Sequence, residues 1–192
     1  IYFIMVKPKV FITRRWPKEA EERLKKIFDV TLNQDDKVLS NNEIAEGFYN
    51  HDALACTVSD TIDENIIKSG KTGKGKIIAN FGVGFNHIDL NACKKYKIVV
   101  TNTPDILTDA TADLTILLIL MVSRRSKEGE YEIENNKWAG WRPTHLLGSE
   151  LSHKTLGIIG FGRIGQAVAK RAYFGFNMKI KYYNRSKKNM NL

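Results

Sequence analysis

The stretch Thr155-Leu-Gly-Ile-Ile-Gly-Phe-Gly-Arg-Ile-Gly-Gln-Ala-Val-Ala169 decides the fold of this chain. An apolar run typical of a β-strand ends in G-x-G-x-x-G, after which the apolar residues follow helical spacing. We therefore predict a strand, a tight turn and a helix. Gly160 permits the turn, Gly162 lets the backbone approach a ligand, and Gly165 lets helix and strand pack closely, because a Cβ would obstruct at each place.

The start of such a helix presents free N–H groups and the positive end of a dipole, which suits a pyrophosphate. A second apolar strand, at residues 178–183, follows the predicted helix. This context favours a dinucleotide-binding unit, and the alternative is a glycine turn in an unrelated α/β fold. So close to the end of the sequence, only a strand, a helix and a second strand of that unit fit.

The residues after the second strand bear on which dinucleotide binds. NAD-binding units place an acidic residue about 20 positions beyond the glycines, where it accepts hydrogen bonds from the adenosine ribose. Here Asn184 stands at that place, followed by Arg185, Ser186, Lys187 and Lys188. Arg185 can bind a 2′-phosphate bidentately and Ser186 can donate to it, so the sequence favours NADP(H), with NAD(H) as the alternative. A solvated basic turn without a ligand is the other interpretation.

Upstream of this unit, strands and helices alternate, which specifies a mostly parallel sheet flanked by helices. Predicted strands lie at residues 10–13, 30–32, 53–57, 77–80 and 98–100, and predicted helices at 17–28, 41–48, 62–69 and 88–96. The glycine-rich residues 70–75 are predicted to form a plain turn. A long helix over residues 108–125 is apolar almost all round, as expected between domains or at a subunit contact.

A second glycine-rich turn, Asn80-Phe-Gly-Val-Gly-Phe-Asn-His-Ile-Asp89, joins a predicted strand to a predicted helix. Its backbone N–H groups form a candidate anion nest for a carboxylate, and a simple turn explains the same residues. His87 lies in this turn, but no carboxylate is placed by the sequence to orient it. We therefore predict a structural role for His87, and none of the histidines is assigned a catalytic one.

Composition narrows the classes of function. The net charge is +9, but Lys and Arg are spread along the chain and alternate with acids, so we expect no nucleic-acid partner. The longest apolar run, residues 116–122, is too short to cross a bilayer, and no secretory signal is visible. Cys56 and Cys93 are neither spaced as metal ligands nor numerous enough for a disulfide framework, which favours a cytoplasmic protein without a metal site.

Three motifs in this order resemble those of the D-isomer-specific 2-hydroxyacid dehydrogenases, and within them most of all the glyoxylate/hydroxypyruvate reductases. They are the turn at residues 80–89, the segment Val99-Val-Thr-Asn-Thr-Pro-Asp-Ile-Leu-Thr-Asp-Ala-Thr-Ala-Asp-Leu114, and the glycine motif at residues 156–167. The resemblance covers nearly the whole chain from Met5 onward. It implies an NAD(P)-dependent oxidoreductase that reduces a small 2-ketoacid, glyoxylate or hydroxypyruvate, to the D-2-hydroxyacid.

The same resemblance implies an α/β fold of two domains. Residues 5–101 would form a flavodoxin-like substrate-binding domain, and residues 102–192 the first part of a Rossmann dinucleotide-binding domain. A later helix of a complete chain would return to finish the first domain. The full-length protein would be a homodimer, held by an arm that carries Trp138 and Trp141.

Site residues are carried over from the resemblance position by position. Val83 and Gly84 would offer backbone N–H groups to the substrate carboxylate, and Thr111 would lie beside the nicotinamide-proximal phosphate. The residues that would surround the pyrophosphate are Gly160, Phe161, Gly162, Arg163, Ile164 and Gly165. At the end of the second strand, the residues Asn184, Arg185 and Ser186 resemble the Asn-Arg-Ser sequence of family members that use NADPH.

The family's catalytic Arg, Glu and His come later in the chain than residue 192, so no catalytic residue is assigned here. Reduction of a ketone needs a cation and a proton donor for the developing alkoxide, so the 192 residues alone are predicted to be inactive. Met5 as the expected natural start and the break after Leu192 suggest a gene fragment. The alternatives are a non-enzymatic, corepressor-like dinucleotide-binding scaffold, or a phosphoglycerate or formate dehydrogenase of the same family.

Overall fold

The computed structural model describes residues 6–189 of the chain. The expected start at Met5 and the expected break after Leu192 both lie outside the described residues. The chain divides into two compact units, Ile1–Pro104 and Asp105–Leu192. Each is built of helices and parallel strands, so the predicted α/β class is confirmed.

The first unit alternates strands with helices. Its elements are β1 (Lys9–Ile12), α1 (Lys18–Ile27), β2 (Asp29–Leu32), α2 (Asn41–Asn50), β3 (Ala53–Thr57), α3 (Glu64–Thr72), β4 (Ile77–Phe81), α4 (Leu90–Tyr96) and β5 (Val99–Thr101). The strands pair in parallel in the order β2-β1-β3-β4-β5. This is the flavodoxin-like order, in which ligands bind at the edge formed by the carboxyl ends of the strands. The predicted flavodoxin-like sheet is confirmed.

Side-chain oxygens cap the N-termini of α2, α3 and α4 in the first unit, whereas α1 begins after Pro17 without a side-chain cap. Ser40 and Glu43 form a reciprocal capping box at the start of α2. Asp63 accepts from the N–H of Ile66 at 3.0 Å, and Asp89 accepts from that of Ala92 at 2.9 Å, so α3 and α4 are capped in the same way.

Successive strand residues alternate between the two faces of the sheet. On one face Leu54 and Ile78 belong to a buried cluster with Phe48 of α2 and Ile66 of α3. Gly70 packs on this cluster, because a Cβ there would overlap the ring of Phe48. The prediction of a turn beginning at residue 70 was therefore wrong. Helix α3 continues to Thr72, and Gly70 makes this contact from inside the helix.

The opposite face of the sheet is covered less completely. Ala55 and Ile77 of this face line an apolar cavity of about 640 Å³ together with Leu24 and Phe28, at the α1 side of the sheet. The indole Nε1 of Trp16, which also lines the cavity, is buried and finds no hydrogen-bond partner among residues 6–189.

The second unit contains one strand–helix–strand repeat preceded by two helices. Its elements are α5 (Thr108–Ser123), α6 (Ser126–Glu134), β6 (Thr155–Ile159), α7 (Arg163–Phe176) and β7 (Lys179–Tyr183). Strands β6 and β7 pair in parallel, with Thr155 beside Lys179 and Ile159 beside Tyr183. Arg171 of α7 joins the two long helices by pairing with Asp109 at 3.0 Å and Asp113 at 2.6 Å.

Only a narrow face of helix α5 is buried within its own unit. Ala112 is fully buried, whereas a row of larger apolar side chains is about half exposed or more: Leu114, Leu117, Leu118 and Val122. The arm that follows α6 also exposes apolar surface, with Trp138 at 60% and Trp141 at 82%. Both segments therefore present apolar area that the described residues leave exposed.

Candidate functional site

The glycine motif adopts a backbone that only glycine accommodates without strain. Gly160 follows β6 with φ +94°, a region that L side chains rarely occupy, and its N–H donates to the carbonyl of Tyr183 at 2.8 Å. A Cβ on Gly165 would overlap the carbonyl oxygen of Gly160. The start of α7 can therefore approach the end of β6 closely only while both residues are glycine.

The N-terminus of α7 is left open. Gly162 is its N-cap residue and supplies no side-chain cap, and a Cβ placed there would have no heavy atom within 4 Å. Within residues 6–189, nothing accepts a hydrogen bond from the N–H groups of Arg163, Ile164 or Gly165. Free N–H groups at the positive end of a helix dipole are the usual place for a phosphate.

Phe161 contributes its backbone to this turn and not its ring. The ring is 1% exposed and stacks on Tyr182, with 4.2 Å between centroids. Its N–H donates to Oδ1 of Asn184 at 3.1 Å. The glycine turn and the turn after β7 are thus linked by a hydrogen bond between residues that the sequence identified separately.

Two further residues named from the resemblance have neighbours within the second unit. Arg163 pairs with Asp105 at 2.7 Å, and both side chains are more than half exposed. Thr111 is half-buried on α5, where its carbonyl accepts from Oγ1 of Thr115 at 2.7 Å.

The turn after β7 is basic and open. Nδ2 of Asn184 donates to the carbonyl of Ser186 at 2.8 Å, which closes the turn beneath Arg185. Arg185 is exposed and forms neither an ion pair nor a hydrogen bond within the described part of the chain. No carboxylate lies in residues 184–189, so nothing in this turn would repel a phosphate.

In the first unit, the side chains of two asparagines hold the carbonyl groups of the turn after β4. Nδ2 of buried Asn80 donates to the carbonyls of Gly82 at 3.1 Å and Gly84 at 2.8 Å. Nδ2 of Asn102 donates to the carbonyl of Val83 at 2.8 Å, and the N–H of Thr103 donates to that of Gly82 at 3.0 Å. Three consecutive carbonyls are thereby fixed on one side of the turn.

The N–H groups of this turn consequently face the other side. In a trans peptide the carbonyl of one residue and the N–H of the next point in opposite directions, and no described peptide is cis. The N–H groups of Val83, Gly84 and Phe85 are therefore directed away from the asparagines. Among the described residues none of the three has a hydrogen-bond partner. Consecutive free N–H groups of this kind form a nest suited to an anion.

His87 supports this turn. Its Nε2 lies 3.0 Å from Oδ1 of Asn80, which makes Nε2 the donor and orients the Asn80 amide toward the carbonyls. Burial lowers the pKa of His87, and nearby Asp60 opposes that shift. A neutral imidazole with a hydrogen bond to a buried amide fits the predicted structural role. Sequence reasoning quoted Asn80 and Asn102 within motifs but gave them no function.

The described helices do not include one that is long and apolar enough to cross a membrane.

Comparison with protein families identifies the chain. The model of the D-isomer specific 2-hydroxyacid dehydrogenase catalytic domain matches residues 10–190. This chain belongs to the D-isomer specific 2-hydroxyacid dehydrogenase family. The family that the three motifs resembled is thus confirmed.

Curated members of the family cover almost all of this chain. The glyoxylate reductase of Thermococcus litoralis is 44% identical over 187 residues, which are 95% of this chain and 56% of that protein. The glycerate dehydrogenase of Hyphomicrobium methylovorum is 42% identical over 188 residues, 94% of this chain and 55% of that protein. The chain therefore spans about half the length of the relatives it matches.

Solved structures of other proteins share the fold of this chain. The TT0316 protein of Thermus thermophilus superposes with a TM-score of 0.87 at 39% identity, over 95% of this chain and 58% of that one. D-lactate dehydrogenase of Aquifex aeolicus, solved with NAD and lactic acid, gives 0.74 at 27% identity, over 94% and 52%. The likeness includes both units described above.

Proposed function

We propose that this chain is the acid-recognising and cofactor-binding part of an NAD(P)-dependent oxidoreductase. The proposed reaction reduces a small 2-ketoacid, glyoxylate or hydroxypyruvate, to the D-2-hydroxyacid. Relatives named glyoxylate reductase and glycerate dehydrogenase support this substrate class. The single observation that carries the proposal is the set of unpartnered N–H groups at the start of α7, reached through a glycine turn.

The second unit fits a dinucleotide. The free N–H groups of Arg163, Ile164 and Gly165 suit a diphosphate, and the open space at Gly162 leaves its oxygens room. When bound, the nicotinamide supplies the hydride. Residues 102–192 hold the cofactor in this proposal, including Thr111 toward the nicotinamide-proximal phosphate.

NADP(H) is the proposed cofactor in preference to NAD(H). The support is the turn after β7, where Asn184 replaces an acidic residue and the exposed guanidinium of Arg185 is without a carboxylate partner in the described chain. Arg185 and Ser186 would bind the 2′-phosphate by charge-assisted hydrogen bonds. The Aquifex aeolicus D-lactate dehydrogenase was solved with NAD, so the proposed preference is argued from the turn of this chain and not from that relative.

Residues 5–101 form the substrate-binding domain in this proposal. The N–H groups of Val83 and Gly84 would bind the carboxylate of the substrate, since the turn already directs them away from the protein. The cavity beside α1 supports the return of a later helix to this sheet, because it offers apolar walls and the unpaired Nε1 of Trp16.

We further propose that these 192 residues do not catalyse turnover by themselves. The family's catalytic Arg, Glu and His correspond to later positions, and without them a developing alkoxide would lack the cation and the proton donor that those residues supply. A homodimer of the full-length protein is supported by the exposed row on α5 and by Trp138 and Trp141. The cytoplasm is supported by the free, buried thiols of Cys56 and Cys93.

The test joins this chain to the downstream half of the Thermococcus litoralis glyoxylate reductase and measures kcat/KM for glyoxylate and hydroxypyruvate with NADPH and NADH. We expect activity from the chimera with both acids, a lower KM for NADPH, and none from the 192 residues alone. A chimera that binds neither cofactor would overturn the proposal. A clear advantage for NADH would overturn the cofactor preference only.

A further inference from the structure

The hydroxyl of Tyr182 holds the basic turn after β7 at its far end. Its Oη donates to the carbonyl of Lys188 at 2.5 Å, and the N–H of Lys188 donates to Oη at 3.2 Å. One side-chain oxygen thus engages both backbone groups of a residue six positions later. Both contacts are local to the second unit.

The near end of the same turn is fixed independently. Asn184 accepts from the N–H of Phe161 and donates to the carbonyl of Ser186. Tyr182 stacks on the buried ring of Phe161, with ring planes 18° apart. The turn that carries Arg185 and Ser186 is therefore attached at both ends to the residue that lies inside the glycine turn.

We propose that Tyr182 is a positioning residue for the 2′-phosphate of NADP(H). This role rests on the proposed function of the chain. Its hydroxyl holds residues 184–188 in one conformation before the cofactor arrives. Arg185 and Ser186 then bind the phosphate without the entropic cost of ordering the turn. Tyr182 acts in this proposal through the backbone of Lys188, to which its hydroxyl is bonded.

The effect is selective because the diphosphate and the 2′-phosphate depend on different groups. The N–H groups of Arg163, Ile164 and Gly165 are set by the glycine turn and α7, and Tyr182 Oη makes its hydrogen bonds to Lys188 and not to them. NADH lacks the 2′-phosphate and therefore depends less on the conformation of Arg185 and Ser186. Removing the Tyr182 hydroxyl should therefore weaken the binding of NADPH and change the affinity for NADH little.

The experiment compares Tyr182→Phe with Tyr183→Phe in the 192-residue chain. The first variant keeps the ring stacked on Phe161 and removes the hydroxyl. The second is the matched control, because Tyr183 is 70% exposed and its hydroxyl has no hydrogen-bond partner among residues 6–189. The dissociation constants of NADPH and NADH are measured by cofactor fluorescence, and that of 2′,5′-ADP by displacement.

The loss of two hydrogen bonds to Lys188 should raise the Kd of NADPH and of 2′,5′-ADP about three- to tenfold in Tyr182→Phe, while that of NADH changes less than twofold. Tyr183→Phe should leave all three unchanged. An unchanged ratio of NADPH to NADH affinity in Tyr182→Phe, whether both weaken or neither does, overturns the role of Tyr182. A wild-type chain that binds no cofactor, or that does not favour NADPH, refutes instead the proposed function on which that role rests.

Discussion

Nδ2 of Asn80 donates a hydrogen bond of 2.8 Å to the carbonyl oxygen of Gly84, four residues further along the chain. The same nitrogen also donates to Gly82, so one buried amide fixes two of the three carbonyls of the turn after β4. His87 completes the arrangement by donating to Oδ1. The free N–H groups of the turn are a consequence of these bonds.

Replacing Asn80→Ala should destabilise the first unit, because it leaves two carbonyls and the imidazole of His87 without their partner. We expect the free energy of unfolding to fall by about 1–3 kcal/mol, measured by urea denaturation. In the active chimera the KM for glyoxylate should rise more than kcat falls. Asn86→Ala is the control, since Asn86 is exposed and should change stability by less than about 0.5 kcal/mol. Equal effects of the two substitutions would contradict the role of Asn80.

Two glycines of α7 should respond to alanine with opposite signs. Gly165→Ala should lower the free energy of unfolding by about 1–3 kcal/mol, because its Cβ would overlap the carbonyl of Gly160. Gly175→Ala should raise it by up to about 1 kcal/mol, since its Cβ meets nothing within 4 Å and alanine favours the helix. Thermal unfolding of the two variants measures the difference. If both stabilise the chain, α7 does not approach β6 as described.

The capping box of α2 should make stability depend on pH. The pKa of Glu43 is lowered to about 2, chiefly because Lys37 donates to its carboxylate, with further bonds from the N–H and the hydroxyl of Ser40. A carboxyl whose pKa is lower in the folded chain stabilises the fold above its unfolded value near 4.5, and this contribution disappears as the pH falls through about 2. Glu43→Gln should therefore lower the melting temperature at pH 7 by at most about 3 °C.

That difference between wild type and Glu43→Gln should shrink below pH 4.5 and vanish below about pH 2. Calorimetry over a series of buffers measures it. Glu46→Gln, at an exposed position of the same helix, is the matched control and should show no such trend. A constant difference across the whole pH range would argue against the ion pair with Lys37.

Both thiols of the described chain should react slowly in the folded protein. Burial raises the pKa of Cys56 to about 12 and that of Cys93 to about 11, so little thiolate forms near neutral pH. Ellman's reagent at pH 8 should label both thiols completely in denaturant and far more slowly without it. Rapid labelling of the native chain would mean that the core around α4 opens readily.

The alternation of elements was predictable because it depends on local patterns. The strand at residues 53–57 was predicted with the bounds that β3 has, and the glycine motif predicted a turn that requires the positive φ of Gly160. The end of α3 was missed, since Gly70 belongs to the helix through its contact with Phe48, more than twenty residues earlier. Periodicity within a helix carries no information about such a partner.

The positioning residues were less visible in the sequence than the residues they position. Asn80 has the appearance of any polar residue at a strand end until its burial is known. Asn102 reaches Val83 across 19 positions, and Arg163 meets Asp105 across a longer separation still. Phe161 stands between two glycines of a turn, yet its ring enters the core because β7 places Tyr182 beneath it. Each of these contacts depends on chain reversals that local spacing does not specify.

In the turn after β4, the main-chain N–H groups and the side chains of Val83 and Phe85 can serve different purposes, because only the main chain is fixed by neighbouring residues. Under the proposed function the substrate carboxylate binds to main-chain N–H groups, and these are set in place because the carbonyls of Gly82, Val83 and Gly84 are fixed by Asn80, Asn102 and Thr103. The side chains of Val83 and Phe85 take no part in that arrangement. Under the proposed function, substitutions at these two positions would change which groups fit beside the carboxylate and would leave in place the N–H groups that bind it.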